Sequence, residues 1–90
     1  MTAVSRTVTL QNRRGLHARA SAKFVTLASG LSAPVEVEKD GSRVAGTSIM
    51  GLMMLGAAFG DSITIHASGD GADAALDSLA GLVADRFGED

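Results

Sequence analysis

Three segments of the chain alternate between apolar and polar residues, which is the pattern of strands with one buried face. In residues 62–68, for example, Ile63, Ile65 and Ala67 fall on one side and polar residues on the other. Residues 4–10 are also rich in Val and Thr, which favour strands. The alternation predicts strands at residues 4–10, 35–39 and 62–68, and the hairpin signal Asp40-Gly41 predicts a short return strand at residues 43–46.

Apolar residues that recur every three or four positions predict two longer helices, at residues 18–29 and 72–87. A third, shorter helix is expected after Ser48, because a hydroxyl residue followed by the apolar run 49–55 is typical of a helix N-cap. Asp70 is expected to cap the last helix. The polar tail at residues 88–90 is expected to do no more than end it.

These elements follow one another in the order β-α-β-β-α-β-α. The order predicts an α+β fold of the open-faced sandwich type, in which helices cover one face of a four-stranded, mostly antiparallel sheet. A chain of 90 residues is long enough for a single domain with a modest core, so residues 1–90 are expected to form one domain, a monomer.

Composition narrows the function. The chain contains no Cys, which excludes disulfides and thiolate chemistry, and no cofactor or metal is expected. A net charge of −2 argues against nucleic acid as a partner. The longest nearly apolar run, residues 49–59, is too short to span a bilayer, and the first residues lack a signal-peptide core. We therefore expect a cytoplasmic protein that does not insert into membranes.

The sharpest candidate for chemistry is Gly15-Leu16-His17-Ala18-Arg19, where a polar loop leads into a predicted helix. The first backbone N–H groups of a helix have no internal partners and lie at the positive end of the helix dipole. An anion is therefore stabilised there, and Arg19 adds a guanidinium suited to phosphate oxygens. Neutral imidazole is a nucleophile near pH 7, so His17 could accept and release a phosphoryl group.

Plainer interpretations fit the same spacing. A histidine at a helix start is often only a cap or a surface residue, and Arg19 taken alone is typical of a solvated cation. Ser48 is expected to be a structural N-cap whatever else it does. The helix after it carries more apolar residues than one face can bury, so some are expected to be exposed as a partner site. The alternative is that this helix lies in the core.

Two stretches of the sequence resemble one known family. Residues 15–25 resemble the active-site segment of HPr, the histidine phosphocarrier of the bacterial phosphoenolpyruvate-dependent phosphotransferase system. Residues 48–56 resemble its regulatory serine and the short helix that follows. The separation of His17 from Ser48 and the predicted order of elements fit as well, and the resemblance extends over residues 4–87.

The resemblance implies specific roles. His17 would receive a phosphoryl group on Nδ1 from enzyme I, itself charged by phosphoenolpyruvate, and pass it to a histidine of an enzyme IIA protein. Arg19 and the backbone N–H groups of Ala18 and Arg19 would stabilise the phosphoryl group. Ser48 would be a regulatory site for an HPr kinase/phosphorylase. The protein would then be a carrier and not an enzyme.

By the same resemblance, Ile49, Met50 and Met53 are expected to dock enzyme I and enzyme IIA, with Lys23 as an electrostatic contact at the rim. One position departs from the family, which usually has proline where this chain has Ala20. Because proline pre-sets the backbone at a helix start, we expect Ala20 to alter transfer rates slightly without abolishing transfer.

Other functions stay open on sequence grounds. An acylphosphatase-like hydrolase could hold an acyl phosphate with Arg13, Arg14 or Arg19. A regulatory binding module could act through phosphorylated Ser48 alone. Within the carrier interpretation, the protein could serve sugar transport or the nitrogen-related regulatory branch, and the Ala20-Ser21 pair favours the regulatory branch.

Overall fold

The computed structural model describes residues 3–89, and Asp90 of the predicted tail lies outside them. The strands are β1 (Ala3–Thr9), β2 (Val35–Lys39), β3 (Ser42–Ala45) and β4 (Ser62–Ser68). The helices are α1 (Ala18–Ser29), α2 (Ile49–Met54) and α3 (Ala72–Ala84), and a single 3₁₀ turn, here called the C-terminal turn, follows at Arg86–Gly88. The predicted order of elements is confirmed.

The four strands form one sheet in the order β1-β4-β2-β3, and every neighbouring pair is antiparallel. The β2–β3 hairpin turns at Asp40 and Gly41, whose φ angles of 51° and 84° are those of a type I′ turn. The open face of the sheet is polar, and on it His66 Nε2 lies 2.7 Å from Glu38 Oε1. The predicted open-faced α+β sandwich is thereby confirmed.

The core lies between the other face of the sheet and the helices. The inward residues of β4, Ile63, Ile65 and Ala67, are buried as their alternation predicted. Phe24 of α1 is fully buried, and α1 packs beside both α2 and α3. This arrangement leaves the N-terminal end of α1 at one edge of the molecule, next to the loop that leaves β1.

The C-terminal end differs from the prediction. Helix α3 ends at Ala84 instead of Phe87, and Arg86 and Phe87 take positive φ angles of 57° and 54°. Two non-glycine residues in that conformation cost about 2–4 kcal/mol. The Phe87 side chain is fully buried, which offsets about 2–3 kcal/mol of this cost. Helical periodicity predicted correctly that Phe87 is buried in the core. The residue lies in the C-terminal turn, however, and not in a continuation of α3.

The start of α3 also differs. Asp70 does not cap the helix: the N-cap is Gly71, whose φ of 83° suits glycine, and no side chain caps it. Ser48, in contrast, is the N-cap of α2 as predicted, because its Oγ accepts a hydrogen bond of 3.0 Å from the Gly51 N–H.

Candidate functional site

The loop before α1 is held by specific contacts. Gly15 has a φ of 60°, and a Cβ there would lie 2.3 Å from the Ala57 carbonyl oxygen, so only glycine fits. That carbonyl accepts a 3.0 Å hydrogen bond from the Leu16 N–H. The buried Ser21 hydroxyl donates to the Leu16 carbonyl at 3.1 Å. The loop therefore delivers the chain to the start of α1 in one defined position.

His17 is the N-cap of α1, as the sequence predicted. Its Nδ1 accepts a hydrogen bond of 3.3 Å from the Arg19 N–H. About a fifth of the side chain, 21%, is exposed, so the ring is neither buried nor fully solvated. The imidazole therefore lies over the free N–H groups of a helix N-terminus, the arrangement on which the phosphoryl-carrier hypothesis depends.

The other ring nitrogen has a partner that sequence reasoning missed. His17 Nε2 lies 2.6 Å from Glu89 Oε2, and the Asn12 side-chain amide donates to Glu89 Oε1 at 3.1 Å. Glu89 belongs to the tail that was expected only to end the last helix. The C-terminal turn brings it back across the start of α1, helped by Lys23 Nζ, which donates to the Phe87 carbonyl at 2.6 Å.

The electrostatics of Glu89 follow from these contacts. Burial by itself acts to raise the pKa of the Glu89 carboxyl. The hydrogen bonds from Asn12 and His17, together with the positive charge of Lys23 and that of His17 in its protonated form, outweigh burial and hold the pKa below its ordinary value of 4.5. Glu89 is therefore a carboxylate at neutral pH, and it accepts the hydrogen bonds that reach it.

Positive charge surrounds the histidine. Arg13, Arg14 and Arg19 line a shallow pocket of about 240 Å³ together with His17 and Glu89. Arg19 lies there as predicted, while Arg13 and Arg14 extend the basic surface beyond it. Guanidinium groups suit phosphate oxygens, so the pocket is complementary to a phosphoryl group on the ring.

The remaining predicted residues fall nearby. Ala18 is the first residue of α1 and is exposed. Lys23 is on the exposed surface of α1, but its ammonium group is engaged with the C-terminal turn. Ala20, the departure from the usual proline, is the third residue of α1 and is fully buried. Nothing in the sequence pattern had pointed to Asn12, which is completely buried.

Helix α2 presents an apolar surface, as its composition predicted. Leu52 is fully buried, whereas Ile49 is 41%, Met50 67% and Met53 40% exposed. Met54 of α2 is exposed as well, and so is Phe59 beyond the helix. The sequence pattern had not indicated a role for Phe59. The loop between β1 and α1, residues 10–17, carries His17 and is here called the histidine loop. The segment after α2 is joined to it through the Leu16–Ala57 hydrogen bond. We call Ile49, Met50, Met53, Met54 and Phe59 the apolar patch.

Two further observations concern residues 3–89 only. They contain no group of three or more His, Cys, Asp or Glu side chains arranged to hold a metal ion. None of the helices in this part of the chain is long and apolar enough to cross a membrane.

Fold and site together define a class: a small open-faced α+β sandwich that presents a partly exposed histidine at a helix N-terminus, in a pocket lined by arginines. A family model described as "PTS HPr component phosphorylation site" matches residues 4–85. The chain belongs to the HPr family, and its function at the family level is that of a phosphocarrier in the phosphotransferase system.

Named relatives agree with this assignment. The phosphocarrier protein HPr of Cupriavidus necator is 43% identical over 86 residues, which cover 96% of this chain and 97% of that protein. The phosphocarrier protein NPr of Shewanella violacea is 40% identical over 89 residues, covering 99% and 98%. The crystal structure of HPr-C-His from Thermoanaerobacter tengcongensis superposes with a TM-score of 0.90 at 41% identity, covering 100% of this chain and 99% of that one.

Proposed function

We propose that His17 is the residue that carries the phosphoryl group, and that the group is attached to Nδ1. The observation that carries the proposal is the position of Nδ1 against the Arg19 N–H at the start of α1. A carboxylate accepts but does not donate, so Glu89 requires the proton on Nε2 and leaves the lone pair on Nδ1. Nδ1 is therefore the nucleophilic nitrogen of the neutral ring.

The transfer itself is a displacement at phosphorus. The Nδ1 lone pair of His17 attacks the phosphorus of the phosphoryl group that enzyme I carries. A bond from Nδ1 to phosphorus forms while the bond from phosphorus to the donor atom of enzyme I breaks, and the electron pair of the broken bond returns to that donor atom. Delivery to a histidine of an enzyme IIA protein is the same step with His17 as the leaving group. The protein supplies position and charge, which are the main contributions to phosphoryl transfer in proteins.

Arg19 and Ala18 stabilise the phosphoryl group in this scheme. The Arg19 N–H that donates to Nδ1 in the free protein becomes available to a phosphoryl oxygen once Nδ1 is bonded to phosphorus. The Ala18 N–H lies in the same first turn, where backbone donors have no partner within the helix. The Arg19 guanidinium, in the pocket beside the ring, neutralises the phosphoryl charge.

Enzyme I and an enzyme IIA protein are the proposed partners, and the apolar patch is the proposed docking surface. Of the predicted docking residues, Ile49, Met50 and Met53 are exposed on α2. Exposed methionines adapt to more than one partner, which a carrier with a donor and an acceptor requires. Lys23 contributes at the rim through its positive charge. Met50→Asp should slow transfer with both partners, whereas Thr26→Asp on the exposed side of α1 should have a smaller effect.

Regulation is proposed at Ser48, for an HPr kinase/phosphorylase. Its hydroxyl is partly buried and caps α2, next to the apolar patch. A phosphate on Ser48 would add about two negative charges beside side chains that must lose water on docking, so it would weaken docking. Ser48→Asp should lower the rate of phosphorylation by enzyme I relative to Ser48→Ala, and equal rates would contradict this proposal.

The test of the carrier residue is incubation with enzyme I and phosphoenolpyruvate, followed by mass mapping of the phosphate. We expect one acid-labile phosphate on His17, lost in His17→Ala. The chain offers a matched control, because its only other histidine is His66 on the open face of the sheet. His66→Ala should be phosphorylated like the unchanged protein. An acid-stable phosphate, or equal labelling of His17→Ala, contradicts the proposal.

Several wider expectations accompany it. The protein is proposed to be a carrier without an activity of its own, and to act as a monomer of one domain in the cytoplasm. Two roles are proposed as alternatives, one in sugar transport and one in the nitrogen-related branch, because relatives of about 40% identity carry the names HPr and NPr. Transfer to purified enzyme IIA proteins of the two branches, compared at equal concentration, distinguishes them.

A further inference from the structure

Glu89 stands apart from the residues expected from the sequence, because it comes from the far end of the chain and yet contacts the ring of His17. The Nε2–Oε2 distance of 2.6 Å is short, as expected when one partner of a hydrogen bond is charged. The contact is also sheltered, with 17% of the Glu89 side chain exposed.

We propose that Glu89 is a positioning residue for phosphoryl transfer: it holds the proton of His17 on Nε2 and offsets the positive charge that the ring gains when Nδ1 takes the phosphoryl group. This inference rests on the proposed carrier function of His17 and deepens it. It assigns to the C-terminal segment a part in the chemistry, in addition to its part in the core.

Three contacts hold Glu89 in place. Its second oxygen accepts from Asn12, whose amide also donates to the Gly15 carbonyl at 2.8 Å, so the carboxylate is tied to the histidine loop. The buried Phe87 side chain anchors the C-terminal turn two residues earlier. Lys23 binds the Phe87 carbonyl at 2.6 Å. The carboxylate is thus placed by contacts from the loop after β1, from α1 and from the core.

The position of the Glu89 carboxylate matters because the charge of the His17 ring changes during transfer. A neutral ring with a proton on Nε2 becomes a cationic ring when Nδ1 forms a bond to phosphorus, because no proton leaves. The phosphoryl group bonds to Nδ1, beside the backbone N–H groups at the start of α1, while the Glu89 carboxylate lies against Nε2. The new positive charge therefore develops next to a fixed negative one, and the transfer step is stabilised by an attraction absent from a solvated ring.

The chain contains an internal reference for this effect. His66 Nε2 lies 2.7 Å from Glu38 Oε1 on the open face of the sheet, which gives a second histidine–carboxylate pair outside the proposed site. Its carboxylate has no additional side-chain amide among the hydrogen bonds of the described residues, unlike Glu89 with Asn12. Substitution of either glutamate by glutamine keeps size and removes charge.

The experiment compares Glu89→Gln with Glu38→Gln in two measurements. Ring nitrogen NMR shifts of the unphosphorylated protein report which nitrogen of each histidine carries the proton. Glu89→Gln should move the proton population of His17 from Nε2 towards Nδ1 and leave that of His66 unchanged. Glu38→Gln should move the proton population of His66 from Nε2 towards Nδ1 and leave that of His17 unchanged. The rate of phosphorylation by phosphorylated enzyme I should fall about tenfold in Glu89→Gln, as expected for removal of an adjacent opposite charge, and stay unchanged in Glu38→Gln.

Each outcome decides a part of the proposal. An unchanged His17 tautomer in a folded Glu89→Gln protein overturns the positioning role, and a changed tautomer with an unchanged rate overturns the charge role. Thermal unfolding of both variants checks that the fold is kept. If the unchanged protein accepts no phosphate, the carrier function itself fails, while the NMR measurement still decides the tautomer claim.

Discussion

Gly15→Ala is the substitution for which the structure allows the most direct calculation. Gly15 lies in the histidine loop with a φ of 60°, and an added Cβ would lie 2.3 Å from the Ala57 carbonyl oxygen and 2.7 Å from the Ala58 Cα. Both neighbours are backbone atoms, which cannot rotate away as a flexible side chain could. The backbone of the loop or of the segment after α2 must therefore shift.

Two costs add. Holding alanine at a positive φ costs about 1–2 kcal/mol. Relieving a contact far inside van der Waals distance in a packed region costs about a further 1–3 kcal/mol. The expected loss of unfolding free energy is therefore about 3 kcal/mol. For a chain of 90 residues, whose total stability is on the order of 5–13 kcal/mol, this is a large share.

The matched control is Gly56→Ala. Gly56 has a similar φ of 65°, but nothing lies within 4 Å of the place that a Cβ would occupy there, so this variant bears only the backbone cost. Urea unfolding followed by circular dichroism should place the two midpoints about 1–2 M apart, given a slope of about 1–2 kcal/mol per M. Equal midpoints for the two variants would show that the Ala57 contact does not limit position 15, and would refute the reasoning.

Three further predictions concern the caps and the C-terminal turn. Phe87→Ala should lower the unfolding free energy by about 3–5 kcal/mol in urea titrations, because a fully buried aromatic side chain is lost; Phe87→Leu should lose less. Ser48→Ala should cost about 1 kcal/mol in the same assay, since the Gly51 N–H loses its acceptor, whereas Ser48→Asn should keep most of the stability. Because folding lowers the pKa of Glu89, its contribution to stability is present above pH 4.5 and is lost as the pH falls through the lowered value. Stability measured from neutral pH down to well below that value should therefore fall less steeply in Glu89→Gln, and an identical slope would count against the contact with His17.

The fold was predictable because most of its elements obey a local rule. Residues 62–68 alternate without a break, and the buried and exposed sides came out as expected. The Asp40-Gly41 turn was predictable because few other pairs tolerate two positive φ angles. The end of α3 was not predictable by such a rule: Phe87 falls on the helical stripe, and only tertiary packing makes a tighter turn with unfavourable φ angles the better way to bury it.

The site divides in the same way. His17, Ala18 and Arg19 are adjacent in sequence, and a helix N-terminus brings neighbours of this kind together. Glu89 is separated from His17 by 72 positions, and no spacing rule connects them. A signal did exist, because an apolar residue at the end of the predicted helix, followed by Gly88, indicates that the chain stays packed on the core at this point. It could not have indicated which side chain would then reach the histidine.

Two contacts on opposite sides of the His17 ring come from different parts of the chain, one from the start of α1 and one from the C-terminal turn. The backbone N–H groups of the helix N-terminus favour negative charge on the Nδ1 side of the ring, and they are available as soon as α1 forms. The Glu89 carboxylate, on the Nε2 side, is available only when Phe87 is buried and the C-terminal turn is closed. In the proposed transfer the His17 ring becomes cationic while it carries a dianionic group, and it needs both contributions, because stabilising only the phosphoryl group would leave the ring charge uncompensated. In the proposed function the nucleophile is therefore defined by the folded chain as a whole: the N-terminal motif places His17 to receive the phosphoryl group, and the C-terminal turn, together with the Arg19 N–H, sets which nitrogen receives it.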